Sequence, residues 1–393
     1  MTSGLVPYNV TAPQSAHLVV KIGGTVYDDI SPNFLLGMNL VRNAGGRNTF
    51  SIELSDMMDY ELEEKLIAAI TASLSVAGSE SISFQYGHSQ GAKSDWQKGL
   101  ILDYTPQFLS NMNANFTITG ICEGKIGSVK SDTYDSSKYG NRVSNIIKSI
   151  AEEEGWEISE PFVLSDKLSS SQSFYRTNMS AITFIQTVLI PAAKKGNNTI
   201  RMMHSNTSKG TSIKLVDIDL TKTPIPKREY NFLINSGNYG NVLSFTPTYT
   251  GVANSSLKVS AGYVDRLTNQ FMLFRNDPKL GISIPADPQI MGATSPENFT
   301  SIIQDKWFSN NVGHVKASME IVGDPEIQLL DYVNVIPMRP DGRIHHTGGT
   351  YLILEEITDS ISGGMYKTSL TMVKIPGTKA TYITDTYESG WNI

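Results

Sequence analysis

The sequence predicts an α+β fold dominated by strands, with two antiparallel β-barrels separated by a mixed α/β module. Three observations predict it. The stretch Gly349–Val373 alternates along two runs about a turn. Tyr351, Ile353 and Ile357 share one side of the first run, broken by Glu355; Tyr366, Leu370 and Met372 share one side of the second, with Lys367, Ser369 and Thr371 opposite. A period of two puts one face in a core and the other in water. Second, residues 18–122 hold six or seven short runs of the same kind. Third, the middle of the chain carries helical stripes, whereas both outer thirds are strand-rich.

In chain order, residues 1–17 read as a polar arm with Pro7 and Pro13. Leu18, Val20 and Ile22 then begin the first barrel, residues 18–122. Phe34–Val41 and Asn48–Leu54 flank Ala44-Gly45-Gly46, and Phe50, Ile52 and Leu54 alternate with Thr49, Ser51 and Glu53. Asp59–Ser73 reads as a helix with Leu62, Leu66, Ile67 and Ile70 on one side. Ser81–Tyr86, Leu100–Tyr104 and Asn115–Cys122 return to strand. Many short strands and one inserted helix suggest a closed or nearly closed barrel.

The mixed module spans 123–240. A polar stretch, Gly124–Asn141, leads into a helix, Val143–Glu154, with Val143, Ile146, Ile147 and Ile150 as its stripe and Gly155 placed to end it. A second helix, Ser180–Lys195, carries Ile182, Ile185, Val188 and Leu189; Pro191 should kink it or end its regular part. Thr199–His204 and Thr211–Asp217 form a strand pair.

The second barrel takes residues 241–275 and 313–375. Its runs are Asn241–Tyr249, Ser256–Val264, Leu267–Arg275, then Val315–Val322 and Ile327–Pro337, which read as an antiparallel strand pair about Gly323-Asp324-Pro325, and the terminal hairpin, which turns at Ser362-Gly363-Gly364. A helical insertion, 276–312, starts a helix with Ser295 as N-cap and Pro296 at the first helical position. Residues 376–393 read as a C-terminal arm. Leu352 with Ile353, and Leu330 with Val333, give strands with apolar residues on two faces. Such strands pack on their core and also on a neighbour, or are covered by a helix of their own chain.

Composition narrows the function. The 393 residues suffice for two or three cores. A net charge of -6 argues against non-specific duplex binding, which needs a basic footprint. Cys122 is the single cysteine, so the chain has no internal disulfide. No apolar run approaches the roughly 20 residues of a membrane helix, and the first residues lack a signal-peptide pattern. A protein folded in a reducing cytoplasm is expected.

The sharpest catalytic pattern is Gly87-His88-Ser89-Gln90-Gly91, which matches the G-x-S-x-G elbow of α/β-hydrolases. An elbow needs a buried parallel strand before it and an apolar helix after it. Here the preceding strand alternates as an antiparallel one does, and Ala92–Gly99 is short and polar. A surface loop is the better reading of Ser89, and a serine esterase using Ser89 is the alternative from a different class. Another is a carbohydrate-binding β-protein, disfavoured because Trp156 and Trp307 sit beside apolar helical stripes. His345-His346 lacks the company of a metal motif, and neighbouring histidines should diverge into solvent. Glu152–Glu154 reads as an exposed helix end, and Glu355 as a charge paired at a subunit contact or facing a lumen. No catalytic, cofactor-binding or metal residue is assigned.

Ser144–Trp156 (SNIIKSIAEEEGW), Asn178–Gly196 (NMSAITFIQTVLIPAAKKG), Ile321–Val335 (IVGDPEIQLLDYVNV) and the terminal hairpin, in this order and spacing, resemble the central hub protein of phage baseplates, a family related to the spike-bearing proteins of type VI secretion. The resemblance covers roughly residues 18–375, and the 276–312 insertion departs from it. It implies two barrels similar to the tail-tube protein, and a homotrimeric ring with quasi-sixfold symmetry toward a hexameric tail tube and threefold symmetry toward a spike. The implied partners are the chain itself, the tube, a separate spike protein and the baseplate wedge proteins, with the tape measure protein an additional candidate. It further implies a structural, non-enzymatic role in a contractile virion tail assembled in the bacterial host cytoplasm, with DNA passing through the ring at genome ejection without specific binding. A siphophage tail tip or a bacterial contractile injection machine would use an equivalent hub.

Overall fold

The computed structural model describes residues 15–22, 25–27, 35–43, 48–55, 82–108, 114–122, 127–159, 171–193, 198–207, 210–219, 224–234, 241–249, 261–265, 270–274, 289–290 and 315–375, with Leu168 and single positions between 61 and 71.

The first third forms β1 (Ala16–Ile22), β2 (Thr25–Tyr27), β3 (Leu35–Asn43), β4 (Thr49–Ser55), β5 (Ile82–His88), β6 (Gln97–Phe108) and β7 (Ala114–Ile121). They lie in the order β3-β4-β7-β6-β5-β1-β2, each pair antiparallel. The expected alternation holds. Leu18, Val20, Ile22, Phe50, Ile52, Leu54, Ile82, Phe84 and Tyr86 are buried in one core, with Phe84 fully enclosed 5.3 Å from the Phe50 ring. Of the expected helix Asp59–Ser73, the described positions Glu61, Glu64, Lys65, Ile67, Ala68 and Thr71 are helical, and Thr71 Oγ1 donates to the Ile67 carbonyl. All of these are exposed. Ile67, expected on the buried stripe, is 47% exposed, whereas Leu62, Leu66 and Ile70 lie outside the described residues.

The middle of the chain builds β8 (Val129–Asp135), α1 (Val143–Glu154), β9 (Glu157–Ser159), β10 (Ser173–Ser180), the helical segment α2 (181–193), β11 (Asn198–Thr207), β12 (Gly210–Asp219) and β13 (Arg228–Leu233). The predicted α1 has the observed bounds and ends on Gly155, whose φ is 69°. Its stripe packs on Phe184, Ile185 and Leu189, with Trp156 in the same core. Ser180 caps α2 by accepting from the Thr183 amide. The helix neither ends nor breaks before Pro191. It widens into a π-turn over Ile185–Leu189 and runs on through Ile190–Ala193, which absorbs the hydrogen bond that proline cannot donate.

The strand β8 stands within the stretch read as polar, Gly124–Asn141, and β10 begins in a stretch to which the sequence assigns no element. They pair with each other, and only Tyr134 on β8 and Phe174 and Arg176 on β10 are buried. A ribbon with so few inward side chains leaves almost no apolar period to read. The end of α1 is also less exposed than expected. Glu154 accepts from Ser128 Oγ at 2.5 Å and Ser128 N at 2.9 Å, and the fully buried Arg176 guanidinium lies 3.7 Å away.

These contacts set an acid limit. Burial would push the Glu154 carboxyl up, but the hydroxyl and amide of Ser128, with Arg176, outweigh it and hold the group below its ordinary value. The Thr133 amide lowers Asp132, and the Ser137 amide and hydroxyl lower Asp135. Folded values below unfolded ones stabilise above the unfolded pKa, about 4 for a carboxyl. That contribution is lost as pH falls through the lower folded values. The melting temperature of the wild type should therefore fall more steeply below about pH 4 than that of Glu154→Gln. Parallel profiles would show that Glu154 takes no part.

The last third contributes β14 (Val242–Tyr249), β15 (Ala261–Asp265), β16 (Gln270–Phe274), β17 (Gln289–Ile290), β18 (Val315–Val322), β19 (Tyr332–Met338), β20 (Gly349–Ser362) and β21 (Met365–Lys374). The hairpin forms as predicted, with Gly363 and Gly364 at φ of 57° and 76°. The helix expected from Ser295 and Pro296, with Phe299 and Trp307, lies outside the described residues.

Two expectations need correction here. β18 and β19 do not pair across Gly323-Asp324-Pro325. β18 lies between β14 and β21, whereas β19 pairs with β20 and, in parallel, with β13. Leu330, Val333, Leu352 and Ile353 are all buried inside one core of this chain. Ile218 of β12 belongs to that core, and Met203 and Val216 pack against it. Their two-faced apolarity is used within the chain, and among the described residues strands, not a helix, cover them.

The hairpin joins the outer thirds. The described strands run β14-β18-β21-β20-β3-β4-β7-β6-β5-β1-β2, and the far end curls back until Ala16 N donates to Gly364 O at the hairpin tip. Along one edge of β20, its first half takes β19 and its second half takes β3. A bulge between Ile353 and Glu356 separates the halves. The bulge explains why Glu355 interrupts the apolar row. Leu354 and Glu355 both lack a partner on β21, and Glu355 turns outward there, where it pairs with Lys316 of the same chain at 2.5 Å.

Candidate functional site: the joint between two cores

Two apolar cores meet at the hairpin. Ile361 and Tyr366 belong to the core of the first third, and Ile357 and Leu370 to that of the last. At the boundary the buried rows of three strands turn polar in phase. Arg42 follows Met38 and Leu40, Asp359 stands between Ile357 and Ile361, and Thr368 stands between Tyr366 and Leu370. Asp359 and Thr368 are direct cross-strand partners.

Asp359 is fully buried, so its charge must be met by hydrogen-bond donors and a counterion. Arg42 Nη2 reaches Oδ2 at 2.5 Å, and Tyr86 donates to the same oxygen at 3.0 Å. Tyr366 and Thr368 donate to Oδ1 at 2.7 and 2.8 Å. Burial opposes the Arg42 charge, but Asp359 more than restores it and holds the guanidinium pKa above its ordinary value. Burial, with Asp359 adding to it, pushes the Tyr86 and Tyr366 phenols well up. Both remain donors.

The segment 323–331 is laid over this cluster and receives side chains from most of the chain. Arg42 Nη1 donates to the Ile327 carbonyl at 3.1 Å, and His88 Nε2 to that of Gly323 at 2.7 Å. The Asp324 amide donates to Thr368 Oγ1, and the buried Asp324 carboxylate pairs with Arg228 at 2.8 Å. Lys227 holds the Glu326 carbonyl and Asp331, while Lys214 reaches Gln328. Strands from all three sequence regions thus end on one nine-residue segment, within the Ile321–Val335 stretch that carries the family resemblance. Among the described residues, the polar side chains of the joint are committed to one another. Its chemistry is that of a filled polar joint, which fixes geometry.

The structure places the other candidates plainly. Ser89 lies in an exposed turn after β5, which is antiparallel to both its neighbours. Its Oγ lies 2.7 Å from that of Ser15, a hydroxyl and not a base, and His88 is committed to Gly323. Residues 92–96 return to β6 without a helix. No nucleophile elbow is formed. His345 and His346 do not diverge. Their ring centroids lie 4.0 Å apart, His345 Nδ1 is 2.8 Å from Thr347 Oγ1, and Tyr249 lies beyond His346. The loop doubles back through His345 N to Pro337 O and Gly348 N to His345 O, which brings the two rings together. Burial, then His346 and Arg339, lower the His345 pKa. Among the described residues, no group of three or more His, Cys, Asp or Glu could hold a metal. Cys122 is buried, and burial pushes its thiol well up.

No family model and no curated protein matches the chain. Solved structures match its fold. One is the 43 kDa tail protein of prophage MuSo2 from Shewanella oneidensis, with a TM-score of 0.56 and 10% identity over 91% of this chain and 98% of that one. Another is a tail protein from Neisseria meningitidis MC58, with a TM-score of 0.55 and 10% identity over 93% of this chain and 98% of that one. At such identity the likeness is one of fold, and it extends along nearly the whole of each chain. By this likeness the chain shares the fold of these two tail proteins.

Proposed function

We propose that the chain is the structural hub of a phage tail baseplate. Three copies would close a ring that carries the hexameric tail tube on one face and a trimeric spike on the other. Baseplate wedge proteins would attach around it, and DNA would pass through. The observation that carries the reading is the pair of β-rich cores within one polypeptide, held together by one hairpin. If each core stands for one tube-like barrel, three chains offer six barrels to a sixfold neighbour while the ring itself stays threefold. The fold shared with tail proteins supports this role. The net charge of -6 suits a channel that must not retain phosphates. The role is non-catalytic, with no metal or cofactor. Its place is the virion tail, contractile in type, after assembly in the host cytoplasm.

Light scattering tests the ring directly. The purified chain should form a particle three times the 43.1 kDa of one chain, or a heavier one holding three copies of it once the tube and spike proteins of its own tail are added. A monomer that persists with both partners present would refute the hub.

A further inference from the structure

β20 changes partners midway. Tyr332↔Leu352 is the end of its pairing with β19, and Glu356↔Asn43 the start of its pairing with β3. The strands β19 and β3 therefore stand end to end along one edge of β20, and the bulge faces the gap between them. Among the described residues, the segment 323–331 bridges the gap. Leu330 N donates to Ile353 O, Ile353 N donates to Asp331 O, and Arg42 at the end of β3 holds Ile327 O. Leu330 adopts a φ of 66° to make this bridge, a backbone conformation that leucine avoids. An interrupted sheet edge, a bulge and a non-glycine residue at positive φ all fall at one place, where β3 of one core and β19 of the other stand end to end.

We infer that the gap between β3 and β19 is a latent hinge between the two cores, and that the Arg42–Asp359 pair is its latch. Arg42 and Asp359 lie on the same side of the gap, where β3 pairs with β20; Asp359 holds the guanidinium, and its Nη1 crosses to the Ile327 carbonyl of the bridging segment. Tyr86 and Tyr366 seal the latch from water, so it opens as a unit rather than bond by bond. This goes beyond the hub reading and stands without it.

Hydrogen exchange on the full chain tests it, with Arg42→Lys and Asp359→Asn beside wild type. Arg42→Lys keeps the charge but loses the fork that reaches Asp359 and Ile327 together. Amides of 39–43, 323–331 and 353–359 should exchange at least tenfold faster, about the factor expected when one such contact is lost. Amides of β4 and α1 should keep their protection. Spin labels at Leu102→Cys and Leu243→Cys, exposed positions on β6 and β14, should show a broadened distance distribution in the same variants. Tyr86→Phe is the milder third variant, to be read if the first two do not fold, and should shift the same amides by less. Unchanged protection at the gap would overturn the latch. Loss spread equally over both cores would overturn the hinge.

Discussion

Replacing Asp359 with alanine is expected to lower the free energy of unfolding by about 3–5 kcal/mol, the usual cost of removing one partner of a buried ion pair. The reason is what the substitution leaves behind. Arg42 keeps its charge beneath the 323–331 segment, and the hydroxyls of Tyr86, Tyr366 and Thr368 lose their common acceptor. A typical domain holds only about 5–15 kcal/mol in total, so the denaturant midpoint should shift far outside error. The double variant Arg42→Met/Asp359→Ala should cost less than the sum of the singles, because it removes the orphaned charge as well. Additivity within about 0.5 kcal/mol would mean that the two groups do not act as a pair.

Gly323→Ala is expected to cost up to about 3 kcal/mol, the upper end of the range for overpacking a filled core. A Cβ added at this position would stand 2.1 to 2.4 Å from atoms of the Tyr366 ring. An exposed ring would swing aside at little cost. This one is 2% exposed and anchored through its hydroxyl to Asp359, so the clash must be taken up by the segment or by the latch. Tyr366→Leu frees the space, and the alanine should then cost markedly less in that background. An equal cost in both backgrounds would place the strain elsewhere.

Much of the fold is legible in the residues. The strands around Phe50 and Phe84 and the helix Val143–Glu154 each bury one face against a single core, and the hairpin 349–374 keeps its alternation past the bulge although its two ends serve different cores, so their periods of two and 3.6 survive in the sequence. The resemblance named the tail family from segments whose order, not identity, persists, and the shared fold agrees with it. β8, β10 and β13 are less visible. β8 and β10 form a thin ribbon with three inward side chains, and β13 pairs in parallel with β19, about a hundred positions away in sequence. The helix at 181–193 passes Pro191 because a π-turn removes the need for the missing donor, which propensity does not foresee.

The joint shows the division most clearly. Sequence reasoning did not single out Arg42, Asp359 or Thr368, although each stands in phase with apolar neighbours, and a charge in such a row is the signal that marks a buried partner. It does not say which partner. Residues more than 300 positions apart form this ion pair, and their meeting depends on where β20 leaves β19 and takes β3. That choice is set by the bulge at Ile353–Glu356 and by the packing of two complete cores, energies summed over the whole chain rather than carried by any one stretch. Alternation along a strand fixes which way a side chain faces; only the assembled sheet decides what it faces.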